Sequence, residues 1–501
     1  MAPRQASGWL KLMTLLVLVG GLAVRLFDLP DPPLGFHPTR QMRGALMARY
    51  LYFRWQPPAN PHRVQVVTRV VQERLEAYEA PILETLVALT YLLLGRETLW
   101  VARLYSVLFW TLTGWLVFRW TWRATGEPWA GWGAFAYLMA LPFAVKAGRA
   151  FQPDPLMTLL ITFAGYRWWS WLETRRLRDL GLGTGAAALA GLVKPFAVFF
   201  LSPLLAAWVW GQRRKGLWNL RRAFTVALAA FLPLALFLLF TRRETAGTYW
   251  QQWTWALRHL WIDPKFLPRW MRFLAGLTGT GWPLLALLGW TLTSGTFQGF
   301  LTAWLVGYGL YGLLLPYQIT SHNYYHLPFL PWIALGTGGA LAALLPQLRR
   351  QRVLWQGMAL LAAWAWILYG LAEGYTDLQD TWWDEAAHYR QVGEVLPARG
   401  RLIGLVEHYG LPLAYYGERV VVPWPSTAEQ ALARLRGKDP EAFWRAFHKR
   451  VEGFDYFVVT DFREWERQPT LRAILSQDCP LVFQGDEALI FDLRACRFED
   501  E

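Results

Sequence analysis

The chain has 501 residues, of which 54% are hydrophobic, 16% aromatic and only 17% charged, and its mean hydropathy is +0.18. This composition excludes an ordinary soluble domain and indicates an integral membrane protein. The net charge of +14 comes from Lys and Arg scattered between apolar stretches, which argues against a nucleic-acid partner and favours anionic membrane lipids.

Apolar stretches of about 20 residues, the length that a helix needs to cross a bilayer, recur along the chain. They lie at 9–27, 98–118, 128–147, 155–173, 180–194, 195–211, 223–240, 271–292, 298–316, 327–346 and 354–373. The first exceeds a signal-peptide core and lacks a small-residue cleavage site, which indicates a retained anchor. Segments 82–95 and 248–270 are predicted to lie at the membrane surface, since one is short and the other mixes aromatic with charged residues. The pattern predicts a polytopic α-helical membrane protein with about eleven transmembrane helices.

Basic residues occupy alternate short loops, as they do in cytoplasmic loops of membrane proteins. They are Arg119 and Arg123; Arg175, Arg176 and Arg178; Arg213, Arg214, Lys215, Arg221 and Arg222; and Arg349, Arg350 and Arg352. We therefore expect a cell (plasma or inner) membrane protein with a cytoplasmic N-terminus. The first loop, 28–97, the loops at Asp154 and His322, and the C-terminal region then lie outside. The first loop also carries Arg, but long loops escape this rule.

From about residue 374 the hydropathy falls and a soluble domain begins. Segments 402–406 and 455–461 are predicted strands, and 427–437 and 440–450 are predicted helices. We predict an extracytoplasmic α/β domain over 374–501, after a transmembrane domain over 1–373. Cys479 and Cys496 flank two strands of a predicted hairpin, and they form either a disulfide or two free thiols. The acidic run Asp377, Asp380 and Asp384 is typical of a solvated linker.

Two carboxylates stand just outside apolar spans. Glu79, in YEAP, and Asp154, in GRAFQPDP, are either helix N-terminal carboxylates favoured by the helix dipole or residues that bind or react. His37, in FHPTRQ, is a loop histidine or a ligand or base. Arg40 either pairs with a carboxylate or clamps a phosphate. Lys194, between two short apolar stretches, either reaches to lipid headgroups or holds an anionic substrate.

Another cluster, SHNYYHLPFLP, precedes a predicted span. It supplies His322, Tyr324, Tyr325 and His326, which form an aromatic belt or bind substrate. No paired spacing typical of metal ligands is present, so we predict no metal site and keep a divalent metal as an alternative. Motifs of nucleotide-driven transporters and serine hydrolases are absent from the sequence.

Several motifs carry a family resemblance. They are RLFDLPDPPLGFHPTRQ, YEAPILETLVALTYLLLG, ARLYSVLFW, GRAFQPDP, GLVKP and NYYHLPFLP, which together cover roughly residues 9–340. In this order and placement they resemble the GT-C class of membrane glycosyltransferases. That superfamily uses polyprenyl-phosphate sugars and includes protein mannosyltransferases and the aminoarabinose transferase of lipid A.

The resemblance implies an inverting transfer of a hexose or pentose. The donor would be a polyprenyl-phosphate-linked sugar and the acceptor a hydroxyl of a lipid, glycan or protein. Asp154, Glu79 and His37 are the implied catalytic candidates, and the chain departs from many relatives by carrying Thr39 and Arg40 where they have an Asp-Glu pair.

Cations complete the predicted site. Arg40, Lys194 and Arg149 are the candidates to bind the donor phosphate, and Arg149 is also expected to orient Asp154. One alternative is a non-catalytic transporter of lipid-linked sugars, which predicts charges near the bilayer midplane and internal repeats. Another is a structural assembly protein, in which Glu79 and Asp154 would be dispensable.

Overall fold

The structure, a computed structural model, describes residues 8–75, 79–241, 248–439, 444 and 447–497, and these form two compact units. The first unit contains the described residues of 8–29, 79–83 and 100–380. The second contains 30–75, 84–99 and the described residues from 381 to 497. This grouping joins most of the first loop to the C-terminal residues, whereas the predicted domains divided the chain once, between 373 and 374.

The described residues are mostly helical. The α-helices are α1 (Gly8–Leu26), α2 (Pro38–Trp55), α3 (Pro61–Glu73), α4 (Ile82–Leu94), α5 (Trp100–Thr125), α6 (Pro128–Ala140), α7 (Pro142–Ala147), α8 (Asp154–Thr174), α9 (Leu177–Val193), α10 (Val198–Arg214), α11 (Leu220–Thr241), α12 (Phe266–Thr278), α13 (Gly281–Leu292), α14 (Gly295–Leu314), α15 (Pro316–Ser321), α16 (Leu330–Leu348), α17 (Val353–Thr376), α18 (Trp383–Val395), α19 (Leu411–Tyr416), α20 (Thr427–Leu435), α21 (Phe447–Val451), α22 (Phe462–Arg467) and α23 (Pro469–Asp478). The strands are β1 (Leu402–Leu405), β2 (Val421–Pro423), β3 (Tyr456–Val459), β4 (Leu481–Gln484) and β5 (Leu489–Asp492).

Helices occupy all the predicted spans. Within the described part of the chain, 6 helices are long and apolar enough by themselves to cross a membrane. They are Gly8–Leu26, Trp100–Thr125, Pro195–Arg214, Leu220–Thr241, Asn323–Leu348 and Val353–Thr376. The membrane-protein prediction is therefore confirmed at this coarser level. At 13 residues, α4 is too short for a crossing, as expected.

Two predicted spans are not single helices. The stretch 271–292 is divided between α12 and α13, which meet at an angle of 100°. Gly279 lies at the bend with φ +73°, a backbone conformation that glycine adopts without a Cβ clash. The stretch 128–147 is divided at Leu141, because Pro142 has no N–H to continue the helix.

The break before Pro142 leaves backbone carbonyls that need donors inside the bundle. Buried Arg25, near the end of α1, donates to the carbonyl oxygens of Met139 at 2.8 Å and Leu138 at 3.3 Å. The indole N–H of Trp110 also donates to the Leu138 carbonyl, at 3.0 Å. A buried charge at the end of the first span thus satisfies a helix break on another element.

Glycines bring α13 and α16 into close contact. A Cβ atom on Gly289 would stand only 1.7 Å from the carbonyl oxygen of Gly336, and one on Gly336 would stand 2.6 Å from that of Ala286. Such small residues let helix backbones approach in a membrane, where the hydrophobic effect does not drive helices together.

The second unit contains a five-stranded sheet in the order β2-β1-β3-β5-β4. Strands β2, β1 and β3 are parallel, whereas β5 is antiparallel to both β3 and β4. Its core includes Ile403, Phe457, Trp424 and Leu471. Of the predicted strands, those within 402–406 and 455–461 and the hairpin are present, and β2 was not predicted. Of the predicted helix 440–450, residues 440–443 and 445–446 lie outside the described residues.

A disulfide joins Cys479, after α23, to Cys496, after β5. Of the two alternatives open from the sequence, the structure has the bonded pair. The bridge closes a stretch with a sequence separation of 17 residues that contains the whole β4–β5 hairpin.

Candidate active site

Asp154 is the first residue of α8 and is completely buried. The sequence QPDP explains its place, since Pro155 suits the first turn of a helix and a carboxylate there interacts favourably with the helix dipole. Its position at the start of a helix would by itself make Asp154 a structural residue. Its ion-pair partner makes it a candidate for a role in binding or catalysis as well.

Lys194 forms a buried ion pair with Asp154. Pro195 ends α9 directly after Lys194, and the Nζ atom of Lys194 lies 2.7 Å from Oδ1 of Asp154. The two side chains are 1% and 0% exposed, and Oδ2 of Asp154 has no hydrogen-bond partner among the described residues. The free energy needed to remove two charges from water can exceed the free energy gained from their attraction. The buried pair is therefore weak evidence for a stabilising role. A charge pair buried among apolar helices is instead a candidate for function.

Aromatic rings surround the Lys194 ammonium group. Its Nζ atom lies 5.0 Å from the ring centroid of Tyr325, 5.1 Å from that of Tyr324 and 5.8 Å from that of Phe196. The faces of aromatic rings attract cations at such distances. Tyr324 and Tyr325 belong to the 3₁₀ segment Asn323–Phe329, so the structure brings this predicted cluster to Lys194.

The segment that carries Glu79 is attached to the same helix end. The backbone N–H of Ala80 donates to the carbonyl oxygen of Leu192 at 3.0 Å, two residues before Lys194. Because the last carbonyls of a helix lack helical donors, this bond both satisfies α9 and fixes the E-x-P segment beside it. Glu79 is partly exposed. Tyr78, the first residue of the motif, lies outside the described residues.

Arg149 binds two backbone carbonyl groups near the end of α1. Its Nη1 and Nη2 atoms donate to the carbonyl oxygens of Phe27, at 2.7 Å, and Asp28, at 3.0 Å. The ion-pair partner of Asp154 is Lys194, and the expectation that Arg149 orients Asp154 stays a prediction. Arg149 holds the chain where it leaves α1.

The two histidines of the SHNYYHLPFLP segment differ in their surroundings. His326 is fully buried, and its Nε2 atom lies 2.9 Å from the Ile319 carbonyl oxygen, which requires a donor. Its Nδ1 atom therefore accepts from the Tyr308 hydroxyl at 2.6 Å. Since both ring nitrogens have internal partners, we leave His326 out of the proposed substrate-binding set. His322 is partly exposed and lies against the rings of Tyr324 and Tyr325.

The two remaining predicted residues, His37 and Arg40, belong to the second unit. His37 precedes α2 with φ 47°, and its carbonyl oxygen accepts from the backbone N–H of Arg40 at 2.9 Å. A positive φ at a histidine is uncommon and marks a constrained position. Their predicted roles remain predictions.

Gln152, which lies two residues before Asp154, was not among the candidate site residues predicted from the sequence. It is 1% exposed, and its Nε2 atom has no acceptor among the described residues. Its place within the GRAFQPDP motif was the available signal. Among the described residues, no group of three or more His, Cys, Asp or Glu side chains is placed to hold a metal ion.

Comparisons with known proteins agree with the resemblance. Residues 78–240 match the family model of dolichyl-phosphate-mannose-protein mannosyltransferases, which covers less than half of the chain. No curated protein matches the sequence. Among solved structures, ArnT from Cupriavidus metallidurans bound to undecaprenyl phosphate aligns with a TM-score of 0.56 and 15% identity, over 97% of this chain and 98% of that one.

A second solved structure is the archaeal oligosaccharyltransferase AglB from Archaeoglobus fulgidus, in complex with an inhibitory peptide and a dolichol-phosphate. It aligns with a TM-score of 0.56 and 12% identity, over 90% of this chain and 69% of AglB. At these identities the alignments show a shared fold. The predicted resemblance is thus confirmed: the chain is similar to the GT-C membrane glycosyltransferases in fold over nearly its whole length, and to the mannosyltransferase family over residues 78–240.

Proposed function

We propose that the protein is an inverting glycosyltransferase that moves a hexose or pentose from a polyprenyl-phosphate donor to an acceptor hydroxyl. The reaction would occur at the extracytoplasmic face of a cell membrane. The observation that carries the proposal is the buried Asp154–Lys194 ion pair beside the E-x-P segment of Glu79. The mannosyltransferase family match and the undecaprenyl phosphate and dolichol-phosphate in the two solved structures support a lipid-phosphate donor.

Lys194 has the chemistry to bind the donor phosphate. As the glycosidic bond breaks, negative charge accumulates on the departing lipid phosphate, and a fixed ammonium group stabilises that charge. Asp154 and the two tyrosine rings hold the Lys194 ammonium in place, so little reorganisation is needed during transfer. Arg40 is the proposed second phosphate ligand. Arg149 would support the site by holding the backbone at Phe27 and Asp28.

The ion pair with Lys194 distinguishes the two candidate bases. A general base must come within hydrogen-bond reach of the acceptor hydroxyl. Asp154 is already bound to Lys194 through Oδ1, whereas Glu79 is partly exposed. We therefore assign the base to Glu79 and the positioning of Lys194 to Asp154, with His37 as the next candidate for proton transfer. Tyr324, Tyr325 and His322 would contact the sugar.

The proposed orientation has the N-terminus in the cytoplasm, about eleven crossings and the C-terminal domain outside. The Cys479–Cys496 disulfide supports an outside location, since disulfides persist in oxidising compartments. Membrane lipids surround the bundle in this arrangement, and nucleic acid has no role.

The test is transfer from radiolabelled polyprenyl-phosphate sugars by purified variants, with a panel of donors and of lipid, glycan and protein acceptors. We expect Glu79→Gln to lower kcat by about 10²- to 10⁴-fold with little change in donor KM. Asp154→Asn and Lys194→Met should raise the donor KM by roughly tenfold or more, as expected for loss of a charge-assisted contact.

Matched controls separate these effects from general charge loss. Lys215→Met removes an exposed lysine that pairs with Glu173 at 2.7 Å, and Glu73→Gln removes an exposed carboxylate paired with Arg69. Both should behave like the wild type. Full activity of Glu79→Gln, Asp154→Asn and Lys194→Met would refute the assigned site. Absence of transfer by the wild type, together with movement of the lipid-linked sugar across vesicle membranes, would establish the transporter alternative instead.

A further inference from the structure

The first unit contains a partly open, largely apolar cavity of about 630 Å³ between α6, α13, α16 and α17. Small residues are part of its lining: Gly133 and Ala136 on α6, and Ala359 and Ala363 on α17. The volume falls within the range of about 300 to 1,000 Å³ typical of ligand sites. Because Ala359 is exposed, the cavity opens to the surroundings of the bundle, where lipid chains lie in a membrane protein.

The length of the cavity corresponds to one leaflet of a bilayer. Its lining residues on α17 run from Gln356 to Ile367, a rise of about 16 Å at 1.5 Å per residue. Half of a hydrocarbon core of about 30 Å is nearly the same distance. The walls are apolar and carry the indole rings of Trp129, Trp282 and Trp366. A single acyl chain, extended from headgroup level toward the midplane, fits such a groove.

A loop with several arginines follows one end of the cavity. Arg349 lines this end and donates two hydrogen bonds, of 2.7 and 2.8 Å, to the Glu127 carboxylate. The charges of these two side chains therefore neutralise each other. Arg350 and Arg352 follow in the same loop, are exposed, and make no ion pair within the described part of the chain. The loop therefore presents two uncompensated positive charges, which favour an anionic partner such as a lipid headgroup.

A buried donor also lines the cavity. Trp132 is only 6% exposed, and its indole N–H has no acceptor among residues 8–75, 79–241, 248–439, 444 and 447–497. A buried N–H without an acceptor costs free energy, so an oxygen supplied by a ligand would relieve that cost. Lipid ester carbonyls lie between the headgroup and the acyl chain, at the level expected for such a contact.

We propose that this cavity binds one anionic phospholipid, with an acyl chain in the groove, an ester carbonyl at Trp132 and the phosphate at Arg350 and Arg352. The site does not depend on the proposed transfer reaction. The cavity begins at the loop-side end of α6, and α6 and α7 lead away from it to the loop that precedes Asp154. The occupant is therefore a membrane phospholipid distinct from the polyprenyl donor.

Native mass spectrometry of the purified full chain tests the proposal, with phosphatidylglycerol and phosphatidylcholine added at equal concentration. We expect one tightly held phosphatidylglycerol in the wild type. Ala359→Phe should fill the groove and weaken this binding by roughly tenfold, whereas Leu361→Phe should not. Leu361 is the matched control because it is 71% exposed on the same helix and lies outside the cavity lining.

A charge variant examines the other end. Arg350→Gln combined with Arg352→Gln should reduce the preference for phosphatidylglycerol over phosphatidylcholine by roughly tenfold, the factor expected for loss of two charges that contact the headgroup. Ala363→Leu provides a second, milder filling variant, and size-exclusion profiles in lipid-free detergent check that each protein is folded. Equal phosphatidylglycerol binding by the wild type and a folded filling variant would overturn the proposal. Preferential retention of undecaprenyl phosphate at this site would also overturn it.

Discussion

At the scale of single residues, the chain uses charge inside a membrane bundle in two ways. Arg25 satisfies carbonyls left by a helix break and needs no carboxylate for that purpose. Asp154 and Lys194 instead satisfy each other, with one carboxylate oxygen lacking a partner among the described residues. A structural pair would be expected to use its full hydrogen-bonding capacity, so the incomplete pairing agrees with a site that receives a ligand.

A second carboxylate, Glu464, supports the second unit and makes its stability depend on pH. Glu464 is 8% exposed, and it accepts from the backbone N–H and Oγ1 of Thr427, both at 2.8 Å, and from Gln468 at 3.1 Å. Burial opposes ionisation, but these hydrogen bonds outweigh it and hold the pKa of Glu464 below its usual value of 4.5. As pH falls below 4.5, the unfolded chain binds a proton before the folded chain does, so stability falls.

We expect Glu464→Gln to lower the free energy of unfolding by about 1 to 2 kcal/mol at pH 7. The difference from the wild type should shrink as pH falls below 4.5, because only the wild type then loses the interaction. Thermal unfolding of the full chain, followed by circular dichroism from pH 7 to pH 3.5, measures both effects. Exposed Glu466→Gln is the control, and a difference that grows toward acid pH would contradict the assignment.

At the scale of elements, the contact between α13 and α16 predicts a sharp intolerance. Gly289→Ala would place a methyl group 1.7 Å from the Gly336 carbonyl oxygen, and neither atom can rotate away because the helix backbones fix both positions. We expect a loss of about 3 kcal/mol, since the helices must separate. Thermal unfolding in detergent measures the change.

Gly309→Ala provides the comparison. Gly309 lies within α14, where an added Cβ meets no described atom within 4 Å. Alanine there should stabilise the helix by about 0.5 to 1 kcal/mol, because glycine loses more backbone freedom on folding. Equal effects of the two substitutions would show that the close approach of α13 and α16 does not exist in solution.

How far the sequence predicts these elements depends on the kind of interaction. Hydropathy locates helices well, because burial in lipid requires a long apolar stretch. It misses the breaks at Leu141 and Gly279, since an average over a window is insensitive to one proline or glycine. Strand β2 escaped because it has three residues and ends in Pro423. Asp154 and Lys194 could each be named, but no pattern connects two residues 40 positions apart.

At the scale of the whole molecule, the side of the membrane on which each segment lies can be tested directly. The chain has two cysteines, so a cysteine-free parent requires only Cys479→Ser and Cys496→Ser. Between Arg350 and Lys438 lies α17, a candidate span of 24 residues. In that parent, Lys438→Cys should react with a membrane-impermeant maleimide on intact cells, and Arg350→Cys should react only after permeabilisation.

Labelling of both positions in intact cells would contradict the assigned orientation. The cysteine-free parent controls for background reaction. Activity of each labelled variant before modification confirms that the protein is assembled, so that the result reports on the native arrangement.

The hydrogen bond between Ala80 and Leu192 also affects which changes of sequence this fold can accept. A carboxylate carried by a long extramembrane connection would ordinarily shift whenever that connection gained or lost residues. Here its neighbour is anchored to a helix terminus far along the chain. Insertions, deletions and drift upstream of residue 79 are therefore tolerable in evolution without displacing Glu79 from the end of α9, whereas a proline at position 80, which has no N–H, is not.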